Sequence, residues 1–232
     1  DMRLRPSGTK GPIASALEGF VQYHANAAWT WEHMALTRAR ALLGPDNLCR
    51  RITETIRGIL SHPRDEDELL RDVAAMRKRL DEEKHTECIW ALKHLRGGLV
   101  DIEFITQFLT LKNAPAHKEI LGLGTRDTLT ALMEAKLMDA DDGQNLTDTL
   151  DLWQGLLGLL SLTIEGEITS EREEEISSAL KEDLVMVAGG DPSRPADFTA
   201  LKELIEARAD TVYRLFRELI DNPAAGLPPP AQ

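Results

Sequence analysis

Apolar residues return every three or four positions through nearly the whole chain, and few stretches alternate apolar with polar residues for long enough to make a strand. That period confines the chain to an all-α class, a helical bundle, with one exception at its start. Leu48, Ile52, Ile56, Ile59 and Leu60 keep the spacing over residues 46–62, and Leu69, Val73, Met76 and Leu80 keep it over 65–83. Asn26 offers an N-cap and Gly44-Pro45 a stop for a helix over 26–43, in which Ala28, Trp31, Ala35, Ala39 and Leu42 share a face. The same pattern predicts helices over 14–24, 99–112, 125–137, 145–164, 176–187 and 195–220. The short apolar run 87–93 lacks caps and reads as an extended segment in preference to a buried helical turn, Gly189-Gly190-Asp191-Pro192 reads as a turn, and the acidic run 165–175 reads as a solvated face or loop. Residues 1–12 are expected to form a strand and exit loop, 13–115 one helical region, and 116–221 a C-terminal bundle divided from it by the loop through Gly122 and Gly124. A disordered tail is expected over 222–232, which contains Pro228-Pro229-Pro230.

The exception is Asp1-Met2-Arg3-Leu4-Arg5-Pro6-Ser7-Gly8, a carboxylate among alternating apolar and basic residues. It suits the last strand of a catalytic core, one that presents an acid and then turns, so a longer parent is expected. The bulk charge narrows the partners: 39 acidic against 27 basic residues give a net charge of -12, which repels nucleic acid backbones and anionic membranes. No nucleic acid and no membrane partner is expected. The most apolar stretch, Leu152 to Ile164, is interrupted by Gln154 and is shorter than the roughly 18 residues a membrane helix needs. Cys49 and Cys88 lack metal-ligand spacing and suit a reducing, cytoplasmic setting.

Few residues have the chemistry of a site. A strand-end acid such as Asp1, beside basic Arg5, is a common way to hold Mg²⁺ against a nucleoside triphosphate, because hard cations select oxygen and basic groups neutralise phosphate. A solvated terminal Asp is the alternative. Lys93-His94-Leu95-Arg96-Gly97-Gly98 precedes a helix, and its glycines, first-turn N–H groups and two cations are the elements of a phosphate site. A tight turn leading into a packed helix explains the same glycines. Asp101 and Glu103 diverge by about 160° on a helix and cannot share a site. Asp101 suits a structural part in the first turn, accepting free N–H groups, and Glu103 is left open between cleft and solvent. Trp29, Glu32, Leu36, Arg40 and Leu43 make one stripe, from which Arg40 reaches either a phosphate or Glu32, with the tryptophans expected in the core. The six histidines show neither HxxxH nor HxH spacing, so hydrolase and zinc readings gain no support.

Three blocks taken together, Asp1 to Gly8 (DMRLRPSG) followed by Gly11-Pro12, Ala28 to Arg40 (AWTWEHMALTRAR) and Leu92 to Gln107 (LKHLRGGLVDIEFITQ), resemble the glutamine synthetase adenylyltransferase family. Members attach AMP to, and remove it from, a tyrosine of glutamine synthetase through two similar halves. Arg5-Pro6-Ser7-Gly8 and Trp29-Thr30-Trp31-Glu32-His33 look like the attaching, C-terminal half. The resemblance implies a truncated polymerase-beta-like nucleotidyltransferase core. In it Asp1 matches the later-strand metal acid, while the first two acids are not in this chain. It further implies Mg²⁺ and ATP, contacts to ATP from Arg5, Arg40, Lys93, Arg96, Gly97 and Gly98, glutamine synthetase and the PII signal protein as partners, and no AMP transfer by the fragment alone. His94-Leu95-Arg96 departs from the family, where many members place Pro directly before the glycine pair. The removing half, a PII uridylyltransferase and a non-catalytic helical interaction module are the alternatives.

Overall fold

The computed structural model describes residues 8, 11–164, 173 and 176–228. The expected opening strand, nearly all of the acidic run and the last residues of the tail lie outside them. Among the described residues the protein is all-α, with no strand: α1 Leu17–Asn26, α2 Thr30–Leu36, α3 Asp46–Leu60, α4 Glu66–Lys84, α5 Leu99–Asn113, α6 Thr125–Glu134, α7 Ala140–Thr163, α8 Ser178–Ala188, α9 Phe198–Phe216 and α10 Asn222–Ala225. They fall into two compact units, each built from two stretches of chain: residues 1–73 with 106–137, and residues 74–105 with 138–232.

In the first unit the buried positions of α2, α3 and α4 follow the apolar period, with Met34, Ile56, Leu60, Leu69 and Val73 all under 9% exposed. The predicted helix over 26–43 is broken. Glu32 reaches back to accept the Trp29 N–H at 2.8 Å, which starts a new helix at Thr30. At the other end the Thr37 hydroxyl donates to the Met34 carbonyl at 2.7 Å, a local bond that competes with continuation. The break changes the helical phase, so the predicted stripe does not form. Trp29 and Trp31 are 71% and 39% exposed instead of core, and Arg40 and Leu43 lie beyond α2.

Arginines close the helix ends in this unit. Arg64 donates to the carbonyls of Ile59, Leu60 and His62 at 2.7–3.0 Å, capping the C-terminus of α3 where the helix dipole favours a cation. Arg57 donates to the Lys118 and Leu121 carbonyls at 2.8 and 3.0 Å, tying the short 3₁₀ turn Lys118–Ile120 to α3.

The second unit is organised by α7, α8 and α9. Leu146, Leu150, Trp153, Leu184, Ile205 and Val212 are each 0% exposed and form its core. α7 begins five residues before the predicted start because Asp139 caps it, accepting from the Asp141 and Asp142 N–H groups. Asp197 caps α9 in the same way, through the Ala200 N–H at 2.9 Å. The predicted turn at Gly189 to Pro192 is fixed by Arg208, whose planar fork donates to both oxygens of the buried Asp191 at 2.9 and 3.0 Å.

Three expectations change here. Residues 89–98 form successive turns, not an extended segment, which buries Trp90 and Leu92 at 3% and 0% exposure. Glu173 of the acidic run is docked: it accepts from Trp90 Nε1 at 3.1 Å and from Lys202 Nζ at 2.6 Å, and the lysine bond holds its carboxyl below the ordinary range. The chain beyond α9 does not dissolve at Asn222 but continues through a π-helical turn, Arg217–Asp221, into α10, where Pro223 sits at the start and needs no N–H partner.

Gly97 sets how closely α9 can approach. Its φ is +81°, and a Cβ there would stand 1.8 Å from the Ala209 carbonyl oxygen. Gly97→Ala should therefore destabilise the protein by about 3 kcal/mol or more in urea denaturation, whereas a near-neutral result would show that α9 yields freely. A second expectation concerns acid. His33 is pushed down to about 4, first by burial and then by the nearby Arg64 charge, against an ordinary value of 6.5. Between pH 6.5 and 4 the unfolded chain binds a proton that folded His33 does not, so stability should fall as pH drops through that window. His33→Gln should flatten that part of the fall, and identical pH profiles for the two proteins would contradict the assignment.

Candidate functional site

The Lys93 to Gly98 turn is the predicted site whose geometry is fully described, and a buried ion pair builds it. Asp101 sits in the first turn of α5 at 0% exposure, and Arg77 projects from α4 at 1%. Arg77 Nε donates to Asp101 Oδ1 at 2.5 Å, while Nη2 lies 3.3 and 3.4 Å from the His94 and Leu95 carbonyls. The other oxygen of Asp101 accepts the Gly97 N–H at 2.6 Å. This is the structural part expected of Asp101.

Several other backbone groups of the turn are also committed. The Leu99 and Val100 N–H groups donate back to Leu92 and Lys93 at 2.8 and 3.2 Å, and Gly98 N–H donates to Leu95 at 2.9 Å. The Gly97 carbonyl accepts from the indole of buried Trp153 at 3.2 Å. A Cβ at Gly98 would stand 2.5 Å from the Leu92 carbonyl oxygen. Gly97 and Gly98 are buried, so the anion cradle that their spacing suggests is filled by the chain's own Asp101 and α9.

Outside this core lies a layer of charge. Arg96 donates to Asp81 at 3.0 Å, Asp81 also faces Arg77 Nη1 at 3.4 Å, and the Arg96 guanidinium lies 5.6 Å from the centre of the Tyr213 ring. Arg217 approaches the same ring at 6.0 Å. Burial pushes the Asp221 carboxyl up, with Arg96 opposing the shift. Lys93 is exposed. Arg40 is exposed and belongs to the other unit, and Asp1 and Arg5 lie outside the described residues. Glu103 is half-buried on α5. Among the described residues no group of three or more His, Cys, Asp or Glu side chains is arranged to hold a metal ion.

Arg77, Asp81, Tyr213 and Asp221 are the residues that pattern reading passes over. Arg77 carries a usable signal, because it lies four residues after Val73 and so falls on the buried stripe of α4, where a lone cation demands a buried acid. Removing that acid should be costly. Asp101→Asn leaves the Arg77 charge buried and is expected to lose about 3 kcal/mol in denaturant titration. A loss below about 1 kcal/mol would show that water or another acid replaces the pair.

The family model of glutamate-ammonia ligase adenylyltransferase matches residues 1–55. The bifunctional glutamine synthetase adenylyltransferase/adenylyl-removing enzyme of Rhodopseudomonas palustris (strain TIE-1) is 37% identical over 220 residues, 95% of this chain and 21% of its own. The enzymes of the same name from Rhizobium meliloti (strain 1021) and Xanthobacter autotrophicus are 39% and 35% identical over 95% and 97% of this chain, and 22% of their own lengths. The chain thus spans about a fifth of the length of these curated relatives. With the likeness running through both units and not only through the short blocks, the chain belongs to the glutamate-ammonia ligase adenylyltransferase family.

Proposed function

We propose that this chain is the helical part of the adenylyltransferase domain that moves AMP from ATP to a tyrosine of glutamine synthetase, acting within a longer polypeptide. The observation that carries this reading is identity of 37% sustained over 95% of the chain to enzymes named for that activity. The attaching half is preferred over the removing half, or over a PII uridylyltransferase, on the Arg5-Pro6-Ser7-Gly8 and Trp29-Thr30-Trp31-Glu32-His33 blocks. On this reading Asp1 is the acid that holds Mg²⁺, and Arg5, Arg40 and Lys93 are the cations proposed to contact the triphosphate. Arg96, Gly97 and Gly98 then act indirectly by fixing the shape of the turn that carries Lys93. PII remains a proposed partner and the cytoplasm the proposed location. No described helix is long and apolar enough to cross a membrane.

One observation favours a second reading, a non-catalytic helical interaction module. The N–H groups of His94, Leu95, Gly97 and Gly98 in the turn are bonded within the chain, and both glycines are buried. Transfer of AMP from labelled ATP to glutamine synthetase separates the two. The longer parent should be active, Asp1→Asn in it should lower transfer roughly a hundredfold, and the 232-residue chain alone should show none. Undiminished transfer by Asp1→Asn would remove the acid from the mechanism. Lys93→Ala should raise the ATP requirement several-fold, and an unchanged requirement would leave Lys93 outside the site.

A further inference from the structure

Two adjacent leucines stand in water. Leu42 and Leu43 are 77% and 95% exposed in the connection between α2 and α3, and Ile13, ahead of α1, is 70% exposed. Gly44, at φ +145°, and Pro45 separate the leucines from α3 and keep them off its buried stripe of Ile56 and Leu60. Single exposed apolar residues are ordinary on a folded protein, whereas several gathered in one place mark a surface that something else covers. The packing of α1 on α3 decides which case this is.

Glu18 meets Arg51 at 3.6 Å, Val21 and Thr55 line one groove farther along, and Ala25 and Ile59 line one cavity beyond them. Residue numbers rise together on both helices, so α1 and α3 run parallel and begin at the same end of the first unit. Ile13 leads into one of these starts, and Leu42 and Leu43 lead into the other. Leu48 is exposed in the first turn of α3, beside Gly44. The four side chains therefore share one end of the unit.

The chain itself indicates what covers that end. The Asp1 to Gly8 block has the pattern of the last strand of a catalytic core, and Gly8 precedes Ile13 by five residues, which span at most about 18 Å. A core carrying that strand is tethered within this reach of the apolar end. The curated relatives are long enough to contain one, since this chain covers 21% and 22% of the length of two of them. We propose that the end of the first unit formed by Ile13, Leu42, Leu43 and Leu48 is the face against which this core packs. The proposal rests on the reading of the chain as part of a longer adenylyltransferase. Arg40, two residues before Leu42, is then carried to the same interface, where its proposed contact with the triphosphate would be made.

Hydroxyl-radical footprinting of the 232-residue chain and of the longer parent tests this. In the parent the four side chains are expected to be labelled about fivefold or more slowly than in the short chain, where Leu162 on α7, 86% exposed, gives the rate of an open leucine. Equal labelling of Leu42 and Leu43 in the two proteins would overturn the proposal. Protection that appears in the short chain alone as its concentration rises would also overturn it, by making a second copy the occupant. The double replacement Leu42→Ser with Leu43→Ser should leave the melting temperature of the short chain unchanged and make the parent several-fold easier for a protease to cut between core and helices. A lowered melting temperature in the short chain would place the leucines in its own fold, and a parent variant cut no faster than the wild type would leave them outside any interface; either result contradicts the packing. Neither readout requires AMP transfer, so loss of the activity and loss of this interface are separate outcomes.

Discussion

The ion pair between Arg77 and Asp101 determines the form of the second unit. Both side chains are withdrawn from water, which costs far more than a surface pair regains, and the cost is met only because every remaining group is occupied. Asp101 takes the Gly97 N–H as well as the guanidinium, and Arg77 takes backbone carbonyls as well as the carboxylate. The chain is thereby fixed on both sides of the glycine pair. That fixes where α5 begins, and it leaves Gly97 bare of a side chain at the point where the Ala209 backbone presses against it. Trp153 then closes the arrangement from α7 by donating to the Gly97 carbonyl.

The same economy runs through the molecule. In a chain with a net charge of -12, cations are scarce, and several arginines are committed to its own carbonyls and acids: Arg57 and Arg64 at helix ends, Arg77 on Asp101, Arg208 on Asp191. Cations bound in this way give shape and offer little to an incoming phosphate. Lys93 and Arg40 are among the cations left exposed.

The long helices are legible in the sequence because each buries one stripe, and the stripe prints a period on the residues. Helix α3 and helix α4 match the pattern within a few residues for that reason. Interruptions leave no such print. The break before Thr30 depends on Glu32 turning back to Trp29, a local choice that the run of helix-favouring residues around it conceals, and it is why both tryptophans moved from expected core to surface. Asp139 and Asp197 are ordinary caps, but each lies in a stretch with other acids or a proline that mask the true start. The part played by Asp101 is readable because a first-turn acid beside two glycines has free N–H groups to accept. The burial of Arg77 can be read from its place on the α4 stripe, but its partner cannot, because Asp101 lies 24 residues away and only folding brings them together. For the site itself, the glycine pair admits two meanings from spacing alone, and the carbonyl of Ala209, far along the chain, decides what fills the space beside it.

Amide hydrogen exchange at Gly97 tests the account most directly, since that N–H is held by Asp101 and covered by α9. The account predicts exchange as slow as that of the core amides of α7 and α9, released only by global unfolding. Exchange at the rate of an exposed turn, with those core amides still protected, would contradict it.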